Sequence, residues 1–453
     1  RRDGKPAPGR VIFCRCRRAT AGAVSRTPTA PRITHARRKH AAPANRTLGR
    51  SGQAHGAVPM SRRGRALPPE QAPRADIRIN DLDHEGRGVG RIAGKVVFVE
   101  GALPGEEVRV RYTRRARRFD EATVEQVLAS AAQRVEPFCP VFGRCGGCTL
   151  QHLAISAQRA QHEHRLAAQL RRAAGTDPEQ WLAPLAGAER GYRSRTRLKV
   201  RHTGRHGTVP GYRERSGRAV VSTDSCAVLD PGLEALLPDL RTLVGQLSPA
   251  MSVASVEAVA SEGDTSVVLR HGGRMSDGDE AQLRAFGSET GTVVQTCLGD
   301  GCLRAVGNGR EPELRYSLPA EGLTLHFAST DFVQANAAVN RLLVARAMEL
   351  LAPEPDGLVV DLYCGIGNFG LPAARRGARV IGVEADAGLV ARAQGNARAN
   401  GLATRAGFSQ ADLDGAPLAR WLKEWRPDGV VLDPPRAGAR EVAAALAREP
   451  VPR

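Results

Sequence analysis

The chain has 453 residues, with 66 Lys and Arg against 47 Asp and Glu for a formal net charge of +19, and nine cysteines. That length allows about three domains, each large enough to bury a core. No apolar run approaches the roughly 20 residues that span a bilayer, and the basic N-terminus is not followed by the apolar segment of a secretory signal, so the sequence reads as a soluble, cytoplasmic protein without membrane association.

The charge points to a polyanionic partner, but it is unevenly spread. Residues 1–59 hold 14 Lys and Arg against one acid, Asp3, a net of +13 that leaves +6 for residues 60–453. This first stretch begins at Arg1, lacks hydrophobic periodicity and is rich in Arg, Ala, Pro and Thr. It reads either as a disordered RNA-binding tail or as an extension upstream of Met60, and the second reading is preferred because patterning begins only after Met60. Cys14 and Cys16 are given no role, and residues 60–74 read as a linker.

From about Asp76 to Leu128 short strands alternate with glycine-rich turns. Val108, Val110 and Tyr112 alternate with Arg109 and Arg111, which predicts a small antiparallel β-barrel over 75–130. Arg114, Arg115, Arg117 and Arg118 fall beside a rim loop, either as a solvated face or as an electrostatic strip for an RNA backbone. Residues 155–174 form one amphipathic helix without internal Pro or Gly. A central α+β domain spans 135–330, with strands at Arg197–Arg201, Ser266–Arg270 and Thr292–Thr296. Beyond it, a helix at Val339–Leu351 precedes strands at Leu358–Tyr363, Arg379–Glu384 and Gly429–Asp433, with helices near Phe369–Arg376 and Gly388–Asn400 between the first three elements and the last strand. Such βαβ alternation over 331–453 predicts a Rossmann-like parallel sheet with its ligand at the strand C-termini.

Cys139, Cys145 and Cys148 stand as Cys-x5-Cys-x2-Cys in CPVFGRCGGCTLQH, and Cys226 follows in DSCAVLD. Close spacing without an export signal favours a metal or cluster over disulfides. Four thiolates suit zinc or a [4Fe–4S] cluster, and the asymmetry of one knuckle, one longer gap and one distant cysteine favours iron–sulfur. Cys297 and Cys302 read as buried free thiols.

The strand ending at Asp361 runs into LYCGIGNFG, where Gly365, Gly367 and Gly370 spell G-x-G-x-x-G, and Glu384 ends the next strand. A cofactor fits against that turn while the acid takes ribose hydroxyls, a pattern shared by dinucleotides and S-adenosyl-L-methionine (SAM). Asp361 just before the turn, together with VVLDPPRAG placing Asp433, Pro434 and Pro435 at a strand end, favours SAM.

Taken together, CPVFGRCGGCTLQH with SCAVL, GYRSRTRLKV, GYRERSG, DFVQANAAVN, DLYCGIGNF, GVEAD and LDPPRAG, spanning about Asp76 to Gly438, resemble the bacterial (uracil-5-)-methyltransferases, in the branch that methylates 23S ribosomal RNA and carries a TRAM domain and a [4Fe–4S] cluster. The resemblance implies that Cys139, Cys145, Cys148 and Cys226 hold the cluster. It implies SAM contacts from Gln334, Tyr363, Asn368, Glu384 and Asp412, with Asp433 at the junction of cofactor and target uracil, and an RNA-binding role for the barrel. No obligate protein partner is implied.

In that family a cysteine attacks C6 of the uracil, C5 accepts the methyl group, and a base removes the C5 proton. The cysteine follows the helix after LDPPRAG. Here that helix is Arg440–Arg448, so the nucleophile and the base are expected to lie past Arg453, the methyltransferase domain to be incomplete, and this polypeptide to be inactive. Cys364 sits in the cofactor turn and is not the nucleophile. Three other readings compete: a transfer-RNA (uracil-5-)-methyltransferase, a radical-SAM methylthiotransferase, which needs a Cys-x3-Cys-x2-Cys that is missing here, and a non-catalytic RNA-binding iron–sulfur protein.

Overall fold

The structure is a computed structural model that describes residues 65–66, 72–203, 207–215, 217, 219–299, 303–307 and 309–452. The readings of residues 1–59, Met60, Cys14, Cys16 and Cys302 lie outside these residues. The chain divides into two compact units. One contains the described residues up to Pro184 together with Gly211–Thr223, and the other contains Leu185–Pro210 and the described residues from Asp224 onward.

The first unit opens with a barrel. Its strands are β1 (Arg65–Ala66), β2 (Arg74–Leu82), β3 (Gly88–Ile92), β4 (Lys95–Glu100), β5 (Glu107–Arg115) and β6 (Phe119–Ala129). Among the described residues β1 pairs with β5 alone, while β5-β2-β3-β4-β6 close on themselves through β5–β6. The period-two pattern turns Val108, Val110 and Tyr112 inward onto Ile77, Ile79, Val97 and Val99. The barrel is not wholly antiparallel as expected, because β4 and β6 pair in parallel. Parity explains this: five strands alternating in direction around a ring must leave one like-directed pair.

The segment after the barrel is fastened by a buried ion pair. Glu106, fully enclosed, accepts from Arg134 Nε at 2.6 Å and from the Leu103 N–H at 2.8 Å. Beyond the cysteine loop, α1 (Ile155–Ala174) has the predicted bounds, and Gly175 closes it in the left-handed conformation with its N–H on the Arg171 carbonyl.

In the second unit, β7 (Arg195–Thr203) belongs to a sheet ordered β13-β12-β11-β10-β7. Its other strands are β10 (Val253–Val259), β11 (Ser266–His271), β12 (Val293–Leu298) and β13 (Leu303–Ala305). β8 (Gly207–Arg213) runs from this unit into the other, where its end pairs with β9 (Val220–Val221). The β11–β12 pair is parallel, and its crossover is α3 (Asp277–Thr290), started by a Ser276/Asp279 capping box. Beside it packs α2 (Pro231–Gln246). A hairpin, β14 (Leu314–Leu318) and β15 (Leu323–Phe327), leads to α4 (Ala337–Leu351).

A four-stranded parallel sheet follows, ordered β18-β17-β16-β19. Its elements in chain order are β16 (Leu358–Leu362), α5 (Gly370–Arg375), β17 (Arg379–Glu384), α6 (Ala387–Ala399), β18 (Ala406–Gln410), α7 (Leu418–Trp425), β19 (Gly429–Leu432) and α8 (Arg440–Arg448). Every residue of β16 is buried, because helices cover both faces. Val359 turns to a core with Val344, Met348, Val390 and Phe408, and Val360 and Leu362 turn to another with Leu418, Leu422 and Val442. Among the described residues β19 pairs with β16 alone, so the Asp-Pro-Pro strand forms one edge of the sheet.

Candidate functional site

The glycine turn lies where β16 gives way to α5. Tyr363, Gly365 and Gly367 all have positive φ (60°, 54° and 94°), which lifts the backbone away from the sheet end. A side chain on Gly365 would meet nothing within 4 Å, so this face of the turn is open to a ligand. Gly370 is the opposite case: a Cβ there would press on Asp361 Oδ2 at 2.9 Å and Val380 Cγ1 at 3.0 Å.

Carboxylates converge on the turn. Glu384, at the end of β17, accepts from the N–H of Gly365 at 3.1 Å, of Ala385 at 2.7 Å and of Asp386 at 3.1 Å. Asp361 is buried beneath the turn, and its Oδ2 accepts the Gly370 N–H at 2.8 Å. Its Oδ1 has no hydrogen-bond partner. Burial pushes this carboxyl up to about 7, against the pull of the Gly370 N–H, and Asp433 and Glu384 add to the rise. Asp412, in the loop after β18, accepts the Asp414 N–H at 3.0 Å. Burial raises the Tyr363 phenol, and the charges of Asp414, Asp412 and Glu384 raise it further.

Gln334 reaches the same region from the loop 328–336, its Nε2 donating to Asp433 Oδ2 at 3.1 Å. That loop is held at both ends. The Arg195 guanidinium donates to the Ser329 and Asp331 carbonyls, and buried Asp331 accepts the Ala328 N–H at 2.7 Å and pairs with Arg392. Asn336 caps α4 through the Val339 N–H at 3.0 Å. On this fixed backbone Phe332 stands 72% exposed.

The structure thus gathers Gln334, Tyr363, Gly365, Gly367, Glu384, Asp412 and Asp433 at the C-terminal ends of the strands, and it sets two expected residues differently. Asp361 is enclosed and acts on the turn through Gly370. Asn368 has its amide engaged inward: Oδ1 accepts from Tyr316 Oη at 2.8 Å and Asn340 Nδ2 at 3.0 Å, and Nδ2 donates to Asn340 Oδ1 at 3.0 Å. Tyr316, Asn340 and Phe332 were not found from the sequence. Nor was Asn396, buried on α6, whose Nδ2 donates to the Ile366 carbonyl of the turn at 3.1 Å and to the His326 carbonyl at 3.0 Å. A polar residue breaking the apolar stripe of α4 or α6 was the available signal.

The cysteine loop belongs to the other unit. The Gly146 N–H donates to the Arg213 carbonyl at 2.9 Å, and a Cβ at Gly146 would approach that carbonyl to 3.0 Å, which accounts for the glycine. The Gly147 N–H donates to Cys145 Sγ at 3.4 Å, and the Cys139 N–H to Gln151 Oε1 at 3.2 Å. Burial pushes the Cys145 thiol up, with Cys148 and Cys139 near enough to add to it. Cys226 donates its N–H to Glu234 Oε1 at 2.8 Å. Among the described residues no three His, Cys, Asp or Glu side chains stand in a preformed metal geometry. Cys297 is buried, as expected.

At the barrel rim the four arginines divide into two kinds. Arg114 pairs with Glu121 at 3.0 Å and lies over Phe119, and Arg115 lies 3.7 Å from Asp120 and over Tyr112. Arg117 and Arg118, in the turn between β5 and β6, are exposed.

A parallel sheet with a glycine turn after one strand, an acid ending the next and an acidic surround defines a methyltransferase domain, here following a small barrel. A family model described as tRNA (Uracil-5-)-methyltransferase matches residues 313–449, and a TRAM domain model matches 74–124. Over 383 residues the chain is 42% identical to a protein of Acidithiobacillus ferrooxidans named 23S rRNA (uracil(1939)-C(5))-methyltransferase RlmD, covering 84% of this chain and 87% of that one. A protein of the same name from Azoarcus sp. is 42% identical over 372 residues, with 81% and 86% covered. The solved structure of Pyrococcus abyssi tRNA (uracil-54, C5)-methyltransferase in complex with S-adenosyl-L-homocysteine superposes with a TM-score of 0.60 at 22% identity, covering 83% of this chain and 88% of that one, a likeness of fold. The chain belongs to the RNA (uracil-5-)-methyltransferase family and carries a TRAM domain. Among the described residues no helix is long and apolar enough to cross a membrane.

Proposed function

We propose that the chain binds SAM and presents its methyl group to C5 of a uridine in 23S ribosomal RNA. The observation that carries this reading is the Gln334–Asp433 contact beside an open glycine turn ringed by carboxylates. A cationic sulfonium suits that surround, whereas the pyrophosphate of a dinucleotide would meet Glu384, Asp412 and Asp433 with like charge. SAM supplies an electrophilic methyl group. Gly365 and Gly367 let it lie against the turn, Glu384 accepts from its ribose, and Tyr363 and Asp412 line it. Asp361 and Asn368 hold the turn from within. Gln334 and Asp433 orient the target uracil, and exposed Phe332 offers a face on which an extruded base stacks. The TRAM barrel takes the RNA backbone through Arg117 and Arg118.

Methylation at C5 proceeds by addition of a cysteine thiolate to C6, attack of C5 on the methyl group, removal of the C5 proton and release of the thiolate. Cys364 does not serve as that nucleophile, because it is buried and its thiol is pushed well up by burial, with Asp361 and Glu384 adding to it. No cysteine follows it within the 453 residues. Equilibrium dialysis with methyl-labelled SAM should show one SAM bound per chain, with binding weakened about tenfold by Glu384→Ala. Absence of SAM binding would overturn the assignment of the cofactor.

The second cofactor of this reading is a [4Fe–4S] cluster on Cys139, Cys145 and Cys148, with Cys226 as fourth ligand. Soft thiolate donors and the Gly147 N–H directed at Cys145 Sγ fit such a group. Such a group, when bound, would supply iron–thiolate bonds to these side chains. Protein purified without oxygen should contain iron and acid-labile sulfide that Cys145→Ser removes, and equal iron in both would count against the ligand set.

A further inference from the structure

A cavity of about 170 Å³ opens in the second unit between α4, the β14–β15 hairpin and the end of β10. It is smaller than the roughly 300–1,000 Å³ of pockets for drug-sized ligands, so it suits a single planar ring. Its walls include the aromatic pair Tyr316 and Phe327, whose ring centres lie 6.1 Å apart. Its lining also includes Arg315 and Arg341. Both guanidiniums already have carboxylate partners: Arg341 donates to Glu262 Oε1 at 2.6 Å, and Arg315 pairs with Glu313. An anion would have to compete with those acids. A neutral heteroaromatic ring would not, and the lining offers it donors on Arg315 and Arg341 and acceptors on Glu262 and Asp230.

Gln334 also lines this cavity, and it is the residue bonded to Asp433 in the site described above. The cavity and that site therefore share a wall. We infer that the cavity is a second base pocket: it takes one unpaired base of the same RNA, flanking the target uridine, and so selects which uridine is presented. This rests on the uridine reading given above.

The test is a cycle on the full chain with a 23S-derived RNA, in which each nucleotide flanking the target is replaced in turn by an abasic residue and affinity is measured by fluorescence anisotropy. The wild-type protein should lose about tenfold at one flanking position, the usual scale for one stacked base. Ala260→Phe, which fills the cavity from the end of β10, should bind the intact RNA about tenfold more weakly and be indifferent to the abasic residue at that same position, while other positions keep their effect. Arg315→Ala removes a lining donor without adding bulk. It should show a smaller loss of affinity and a correspondingly reduced penalty at that same position, so the outcome does not depend on Ala260→Phe folding. Equal sensitivity of all three proteins at every flanking position would overturn the pocket. An abasic residue at the target uridine reports separately: indifference there, with a sensitive flanking position, would count against the uridine reading and leave the pocket standing.

Discussion

Raising the pH through neutrality should weaken the methyltransferase sheet, and Asp361 is the reason. Its carboxyl ordinarily titrates near 3.8, yet enclosure under the glycine turn, with Oδ1 unpartnered, pushes it up to about 7. Between those values the folded chain holds a proton that the unfolded chain has released, so stability falls as pH rises. The loss begins at 3.8 and is complete once the pH has passed about 7. At about 1.4 kcal/mol per pH unit the whole effect is at most about 4 kcal/mol, of which roughly 3 kcal/mol falls between about pH 5 and pH 8. His152 acts with the opposite sign. Burial pushes it down from 6.5 to about 4, so the unfolded chain holds the extra proton and stability rises with pH across that interval. Asp361→Asn isolates the carboxyl, since an amide still accepts the Gly370 N–H and does not titrate. Urea unfolding of both proteins across this pH range, read on a probe in the methyltransferase sheet, should show the wild type losing roughly 3 kcal/mol more than the variant. Parallel pH dependences would refute the reasoning.

Two further outcomes follow from the same site. Gly370→Ala places a methyl group against Asp361 Oδ2 and Val380 and should cost about 1–3 kcal/mol, seen as a lowered unfolding midpoint; an unchanged midpoint would mean the turn has slack. Phe332→Ala should weaken RNA binding about tenfold and leave SAM affinity unchanged, because the ring stands 72% exposed and free to stack on a base; equal loss of both would assign it to the cofactor.

Local signals made part of this architecture legible in the sequence. The long helix Ile155–Ala174, the strand Arg379–Glu384 and the helix Arg440–Arg448 have the expected bounds, because each combines one clear periodicity with an abrupt end. β18, Ala-Gly-Phe-Ser-Gln, has no apolar run, and its strand character comes from pairing with β17. α2 contains Pro238, a residue that argues against a helix until the burial of Leu233, Leu236, Leu237 and Leu240 outweighs it. The cofactor turn was legible because its glycines and Glu384 are close in sequence. The Tyr316–Asn368–Asn340 bonds were not, since they join a hairpin, a turn and a helix 24 to 52 residues apart. Asp361 shows the limit of motif reading: its place before the turn was plain, but its enclosure, and hence its displaced titration, depends on the packing of Gly370 and Val380.

The most direct test of the central claim is a calorimetric titration of the chain with SAM, repeated with NAD as competitor. The acidic turn predicts one SAM site that NAD does not displace. No heat of SAM binding, or displacement by NAD at comparable concentration, would contradict it.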